Sequence, residues 1–201
     1  ILYRNEKEED TCITWNSLFA KAIEIKNELL NEGVKKGDCV GGYLSNHPIT
    51  IAAFLATNSI GAVWSCCSPD FGVESVISRL GQLKPIVLIG IRKYSYNGKK
   101  YSLSHRIRSI KKSIPTIKTI LYCETDFGSW NLNTERVISL GSVEVEYDHP
   151  IWVLYSSGTT GRPKSITHRT GGMLMEHYKA IALHQNLKQG DRFFWHTTTG
   201  W

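Results

Sequence analysis

The sequence lacks any hydrophobic run long enough to cross a membrane. The longest candidate, residues 49–68, is interrupted by Thr57, Asn58, Ser59 and Gly61. A membrane-spanning helix needs about 20 consecutive apolar residues, so no span is predicted. The chain also starts without an initiator methionine or an apolar signal core. Either processing has removed a leader or the chain is a fragment of a longer protein, and we favour the fragment.

Cysteines are few, and their spacing suits neither cross-links nor metal. The five cysteines are an odd number, include the adjacent pair Cys66–Cys67 and form no CxxC pair, and no Asn-x-Ser/Thr glycosylation site occurs. This pattern argues against a disulfide framework and against a zinc site. The economical interpretation is a reducing, intracellular compartment, and we expect a cytoplasmic (cytosolic) protein.

A strong charge bias is also missing. The net charge of +6 is spread over the chain, and the basic clusters Lys35–Lys36, Lys99–Lys100 and Lys111–Lys112 are short. A nucleic-acid-binding module would need a concentrated basic stripe with stacking aromatic residues, which the sequence does not contain. We therefore expect no nucleic-acid partner, and small anions such as phosphate esters fit this composition better.

What the sequence does contain is a regular alternation of helical and strand patterns. Hydrophobic residues make up 41% and charged residues 21%, which is typical of a globular chain with a core. Helices are predicted over residues 14–33, 48–60, 73–83, 103–113 and 172–185. Strands are predicted over residues 39–44, 62–65, 86–89, 119–122, 151–155 and 164–168, with an aromatic run at 192–197. This order predicts an α/β fold with a mostly parallel sheet flanked by helices. Residues 124–149 are polar and irregular, and no element is predicted there.

One loop carries most of the functional information. Residues 156–164 contain two glycines, four hydroxyl side chains and Lys164, directly after an apolar strand. Glycines allow backbone N–H groups to turn toward an anion, and the hydroxyls and the lysine add donors and charge. The common nucleotide P-loop has its lysine directly after the second glycine, whereas Arg162 and Pro163 intervene here. The run predicts a phosphate-binding loop of another kind, and a hairpin without a ligand is the alternative.

This run resembles the phosphate-binding signature of the adenylate-forming superfamily, which includes acyl-CoA synthetases, peptide-synthetase adenylation domains and luciferases. Residues 37–44 and 53–65 are similar to an early strand and the next helix–strand unit of that superfamily. Within that superfamily, residues 64–72, 96–99 and 197–201 most resemble the acetoacetate-activating ligases. It covers nearly the whole chain, and it implies that residues 1–201 are part of an N-terminal AMP-binding domain. The rest of that domain and a small C-terminal domain are expected outside this chain.

The resemblance implies a two-step reaction with ATP, Mg²⁺ and CoA. A carboxylate, here acetoacetate, attacks the α-phosphorus of ATP to release pyrophosphate, and the acyl group then passes to the CoA thiol. The implied ATP-phosphate-binding residues are Ser156, Ser157, Gly158, Thr159, Thr160, Gly161 and Lys164. Thr159 or Thr160 is the candidate Mg²⁺ contact, and Lys164 is expected to be an accessory cation. The catalytic lysine is expected beyond Trp201.

Other positions carry weaker implications. Lys99 lies where related enzymes have an arginine motif for the nucleotide end of CoA, and an exposed turn lysine is the alternative. Residues 68–70 depart from the glycine pair of acetyl-CoA synthetases. Trp201 is a candidate wall of the acyl pocket or of the pantetheine tunnel, and packing in the core is the alternative. His168 is either a helper near the acyl site or a structural residue.

Three functions stay open at this point. The first is part of a genuine synthetase for acetoacetate or another short acid such as acetate or propionate. The second is a free-standing, non-catalytic relative that keeps only a nucleotide- or protein-binding surface, and the third is a basic nucleic-acid-binding module. The residues favour the first, and we expect the isolated chain to have no ligase activity because the expected catalytic lysine is not in it.

Overall fold

The structure is a computed structural model that describes residues 1–7, 9–130, 138–156 and 161–197. Its strands are β1 (Leu2–Arg4), β2 (Asp10–Cys12), β3 (Cys39–Tyr43), β4 (Val63–Cys67), β5 (Val87–Gly90), β6 (Lys93–Tyr96), β7 (Lys99–Ser102), β8 (Thr119–Tyr122), β9 (Pro150–Ser156) and β10 (Lys164–Arg169). Its α-helices are α1 (Trp15–Asn31), α2 (Pro48–Ser59), α3 (Val73–Leu80), α4 (Ser104–Ser113) and α5 (Thr170–Tyr178). Within these ranges, no helix combines the length and the apolar character needed to cross a membrane.

The central sheet has six strands in the order β10-β9-β4-β3-β5-β8. The four strands β4, β3, β5 and β8 are parallel, and β9 is parallel to β4. Only β10 runs antiparallel, as the second arm of a hairpin with β9. Every residue of β4 and β5 is buried, as expected for strands covered on both faces. The predicted mostly parallel sheet is therefore confirmed.

The order of the parallel strands places helices on both faces of the sheet. The chain moves from β3 to β4 toward one edge, then crosses back over β3 to β5 and on to β8. Because such crossovers are right-handed, this reversal puts α2 on one face and α3 and α4 on the other. Helix α1 packs against α2, and α3 packs against α4. The reversal also creates a switch point at the carboxyl ends of β3 and β5.

Helix α1 is defined by its first residue and by its apolar stripe. The Thr14 Oγ1 accepts a hydrogen bond from the backbone N–H of Ser17 at 3.1 Å, which satisfies one of the free donors at the helix start. Leu18, Ala22, Ile25 and Leu29 recur at helical spacing, and all four are buried. The helix ends at Asn31, two residues before the left-handed Gly33. Sequence and structure agree closely here.

The cap allows a direct test of this assignment. We expect Thr14→Ala to lower the free energy of unfolding by about 1 kcal/mol, because the first turn loses its side-chain acceptor. Thr14→Ser keeps the hydroxyl and should cost much less. Urea unfolding of the purified chain, followed by far-ultraviolet circular dichroism, measures both. Equal unfolding free energies for the two variants would contradict the capping role.

Several elements differ from the sequence-based expectation. Two small antiparallel hairpins, β1–β2 and β6–β7, were not predicted, because their strands are only three or four residues long and mostly exposed. Helix α5 begins at Thr170 and continues as a π-helical segment over Lys179–His184. The aromatic run at 192–197 joins no strand within the described residues, and Phe194 is 82% exposed. This run has a strand-like composition but no described neighbour to pair with.

Candidate functional site

The hairpin of β9 and β10 presents the predicted phosphate loop. Ser156 is the last residue of β9 and pairs with Lys164, the first residue of β10. The two strands therefore bring the ends of the loop together at the edge of the sheet. Gly161 has a φ of +91°, a backbone conformation that glycine adopts without strain. The side chain of Ser156 is half-buried, and Gly161 and Lys164 are exposed.

Ser157, Gly158, Thr159 and Thr160 lie outside the described residues, as does Trp201. The Mg²⁺ contact predicted at Thr159 or Thr160 therefore stays a prediction. Among the residues that are described, no group of three or more His, Cys, Asp or Glu side chains is arranged to hold a metal ion.

The base of the loop is tied to the rest of the fold by three hydrogen bonds. The Tyr155 Oη donates to the carbonyl of Arg79 at 2.7 Å, and the Gln82 Nε2 donates to the carbonyl of Pro163 at 3.0 Å. On the neighbouring strand, the Ser65 Oγ donates to the carbonyl of Val153 at 2.8 Å. Burial raises the pKa of Tyr155, so its hydroxyl stays protonated and remains a donor at neutral pH. The hairpin is thus anchored on both sides of the loop.

His168 packs in an aromatic cluster rather than in an open site. Its ring lies 5.8 Å from that of Trp152, on the strand paired with its own, and the His177 ring stacks on Trp152 at 5.7 Å. Phe54 from α2 contacts the same tryptophan at 5.4 Å. These contacts favour the structural role for His168 over a chemical one.

A second feature is a cavity of about 630 Å³ at the carboxyl ends of the parallel strands. Its lining comes from the segments that follow β3, β4, β5 and β8, together with the β1–β2 hairpin. Six of the lining residues are Tyr3, His47, Pro69, Tyr94, Tyr96 and Phe127. Open α/β sheets bind ligands at this edge, next to the strands where the chain reverses direction. The cavity is therefore a candidate binding site that sequence patterns did not reveal.

The floor of this cavity is aromatic. The His47 ring stacks on Phe127 at 5.0 Å and meets the edge of Tyr3 at 4.8 Å. The His47 Nδ1 accepts the N–H of Ile49 at 3.1 Å, which caps α2. Burial lowers the pKa of His47 to about 4, so the imidazole is neutral at pH 7. His47 is thus a structural cap and not a general acid at neutral pH.

The loop after β4 forms one wall of the cavity and is fixed from behind. The fully buried Tyr43 donates its hydroxyl to the carbonyls of Pro69 and Phe71, at 3.1 and 2.9 Å. The Arg106 guanidinium also donates to the Pro69 carbonyl, at 3.1 Å. The Arg79 guanidinium lies over the Phe71 ring at 4.5 Å. The loop, which departs from the glycine pair of acetyl-CoA synthetases at residues 68–70, is thus held in place by long-range contacts.

The β6–β7 hairpin places Lys99 beside the cavity but not in its wall. Lys99 is exposed and pairs with Tyr96 across a two-residue turn, Asn97–Gly98, in which both residues have positive φ. Asn-Gly between short strands is the usual signal of such a turn, and it was available in the sequence. The structure adds one residue that no motif indicated. Glu6, in the β1–β2 loop, accepts hydrogen bonds from the N–H groups of Asn97 and Gly98 at 2.7 and 3.3 Å.

Comparison with known proteins gives a consistent result over the whole chain. The AMP-binding enzyme family matches residues 2–201. The acetoacetyl-coenzyme A synthetase of Rhizobium meliloti is 35% identical over 213 residues, which cover 100% of this chain and 33% of that protein. The malonamoyl-CoA synthetase of Penicillium aethiopicum is 30% identical over 208 residues, which cover 94% of this chain and 29% of that protein.

A solved structure agrees with these matches. Acetoacetyl-CoA synthetase from Streptomyces lividans superimposes with a TM-score of 0.89 and 39% sequence identity, over 100% of this chain and 32% of that one. The chain thus spans about one third of the length of the relatives that it matches.

Proposed function

The chain belongs to the AMP-binding enzyme family, and we propose that it is part of an acid–thiol ligase that converts acetoacetate to acetoacetyl-CoA. In this reaction ATP and acetoacetate form an acyl-adenylate and pyrophosphate, and CoA then displaces AMP. The observation that carries the proposal is the match along the whole chain to acetoacetyl-CoA synthetases, together with the anchored hairpin that holds the phosphate loop.

The loop between β9 and β10 is the proposed site for the β- and γ-phosphates of ATP. Donors held in place before the reaction stabilise the charge that develops on the departing pyrophosphate. The Tyr155 and Gln82 hydrogen bonds support this role because they restrain both ends of the loop. We assign phosphate contacts to Ser156, Ser157, Gly158, Thr159, Thr160 and Gly161, with Lys164 as an accessory cation. A threonine hydroxyl at 159 or 160 is a suitable oxygen ligand for the Mg²⁺ that accompanies ATP.

We propose that CoA binds next to the cavity, at the edge of the sheet where the parallel strands end. The exposed lysines Lys93, Lys99 and Lys100 lie on the β6–β7 hairpin, whose first strand lines the cavity. Lys99 is the proposed counter-charge for the 3′-phosphate of CoA. Trp201 stays a proposed wall of the acyl pocket.

The proposal extends to the domain and its setting. Residues 1–201 are assigned to part of the larger N-terminal domain of such an enzyme, in line with the one-third coverage of its relatives. All five cysteines are free thiols, which suits the cytosolic location proposed here. The partners are the small substrates, with no role for nucleic acid.

The acid is the least constrained part of the proposal. Acetoacetyl and malonamoyl groups, named in the matched synthetases, both carry a second carbonyl two carbons from the thioester carbon. Acetate and propionate lack that group. We therefore favour a pocket that hydrogen-bonds a 3-oxo group, because such a site discriminates strongly against an acid without it.

The complete protein that carries this chain is the material for the test. We expect acetoacetate to drive exchange of labelled pyrophosphate into ATP at least about tenfold faster than acetate or propionate does, since an unpaired donor in the acyl pocket penalises those acids. The same assay on the 201-residue chain should give no exchange. Exchange driven equally by all three acids would contradict the substrate assignment, and no exchange with any acid would favour a non-catalytic nucleotide-binding relative.

A further inference from the structure

Both arms of the hairpin that carries the phosphate loop contact one turn at the end of α3. On the outgoing arm, Tyr155 donates its hydroxyl to the carbonyl of Arg79 at 2.7 Å. On the returning arm, the carbonyl of Pro163 accepts a hydrogen bond from the Gln82 Nε2 at 3.0 Å. We call residues 79–82 the clamp turn, because this one short segment is attached to the chain on either side of the loop.

The carboxamide of Gln82 is oriented by two carbonyl partners. Its Nε2 donates to the carbonyl of Ser78 at 2.6 Å, within the same helix, and to the carbonyl of Pro163 across the interface. An amide nitrogen carries two hydrogens, and two carbonyl oxygens use both of them. The contact within α3 therefore aims the second N–H of Gln82 at the returning arm of the hairpin.

The carbonyl of Arg79 joins the two attachments. It accepts the hydroxyl of Tyr155 at 2.7 Å and the backbone N–H of Gln82 at 3.0 Å. A carbonyl oxygen has two lone pairs, so it can accept both donors. The outgoing arm is thus bonded to the same backbone turn that supplies the donor for the returning arm.

The clamp turn is packed against the central sheet. Val76 and Leu80, on the inner face of α3, are fully buried. A Cβ added at Gly41 of β3 would lie 3.2 Å from the Leu80 Cδ1, which shows how closely this helix approaches the sheet. On its outer side, the Arg79 guanidinium lies over the Phe71 ring at 4.5 Å. The sheet therefore fixes the position from which the turn holds the hairpin.

The returning arm depends on such an external attachment at Pro163. Proline has no backbone N–H, so this residue cannot donate a hydrogen bond to the β9–β10 ladder. The Gln82 donor reaches its carbonyl from another element, 81 positions earlier in the chain. Loss of that donor would leave the backbone hydrogen bonds of α3 and of the two strands in place and would release only this arm.

We infer that Gln82 is a positioning residue for the step that releases pyrophosphate, and that it acts together with Tyr155 by setting the distance between the two arms of the phosphate loop. This role rests on the proposed function, in that the loop binds the β- and γ-phosphates of ATP. Neither side chain needs to touch the phosphates. Their effect is to hold the donors of the loop in the geometry that the reaction requires, and small displacements of such groups are costly.

The test compares the two half-reactions in the complete protein. Gln82→Met keeps a side chain of similar length and removes the donor. We expect it to lower kcat for acetoacetate-dependent ATP–pyrophosphate exchange by about tenfold and to leave the KM for acetoacetate within about twofold of the wild type. Transfer of the acyl group from supplied acetoacetyl-adenylate to CoA should also stay within about twofold, because pyrophosphate takes no part in that step.

Two further variants separate positioning from general damage. Ser78→Ala removes another side-chain donor of α3, one that bonds only the Ser75 carbonyl of its own helix, and it should stay within about twofold of the wild type in both half-reactions. Tyr155→Phe releases the other arm, and it should show the same selective loss as Gln82→Met. Because both contacts act on one loop, the double variant should lose less than the product of the two single losses.

The results distinguish this role from the proposed function itself. An active wild type with a Gln82→Met exchange rate within twofold of its own, or with both half-reactions lowered equally, would overturn the positioning role and leave the ligase proposal standing. A complete wild-type protein that exchanges no pyrophosphate with any acid would remove the ligase proposal and the positioning role with it.

Discussion

We expect the replacement of both Thr159 and Thr160 by alanine to lower the rate of acetoacetate-dependent ATP–pyrophosphate exchange by about 10²–10³-fold in the complete protein. Removing a donor aimed at developing transition-state charge typically costs this much in other enzymes. The loss should fall mainly on kcat, since charge on the pyrophosphate grows as its bond to the α-phosphorus breaks. Single-turnover formation of the acyl-adenylate measures that step directly.

Two other substitutions on the same hairpin separate this effect from general damage. Lys164→Ala removes an exposed cation at the end of the loop. Because Lys164 is proposed to be an accessory group, this substitution should lower the exchange rate much less than the double threonine substitution does. Ser165→Ala changes the next exposed residue of β10, outside the motif, and should leave the rate unchanged. A double threonine variant within threefold of the wild-type rate, with Lys164→Ala more impaired, would invert the proposed roles.

Gly42→Ala should lower the free energy of unfolding by about 2–3 kcal/mol, near the upper end of the usual cost of overpacking a core. A Cβ at this position would lie 2.7 and 2.8 Å from two atoms of the Trp64 ring and 3.0 Å from the Cys66 Sγ. Both side chains are buried in β4, the strand next to Gly42, and cannot withdraw into solvent. Urea unfolding of the 201-residue chain measures the change.

Gly72→Ala is the matched control for this effect. It makes the same chemical change at a position with negative φ, where no described atom lies within 4 Å of the added Cβ. Gly72 precedes α3 as its cap, so its replacement should cost about 1 kcal/mol or less. Equal destabilisation by the two substitutions would show that lost glycine flexibility, and not contact with Trp64, decides the outcome.

The main helices and the buried parallel strands could be predicted from the sequence because their signals are local and periodic. Leu18, Ala22, Ile25 and Leu29 repeat at the helical period, and the apolar run at 86–89 lies between turn residues. Strands of three or four exposed residues carry no such period, so β1, β2, β6 and β7 were missed. The Asn97–Gly98 turn shows that a local signal existed for the β6–β7 hairpin.

The candidate site also has a part that the sequence predicts and a part that only long-range contacts decide. The phosphate loop is a contiguous run, so its residue types and spacing were readable without the fold. Its anchors were not, since Tyr155 contacts Arg79 across 76 positions and Gln82 contacts Pro163 across 81. The cavity is assembled from several separate segments, and no single segment carries a pattern that indicates it.

The sequence by itself determined the alternation of helices and strands, the phosphate loop and the family resemblance, because these depend on neighbouring residues and on their order. The tertiary structure alone decided which distant groups meet. Glu6 reaches a turn 91 positions away, and Tyr43 holds the Pro69–Phe71 loop from a fully buried position. Such contacts arise when the strand order brings remote segments to one sheet edge, and residue spacing along the chain carries no record of that order.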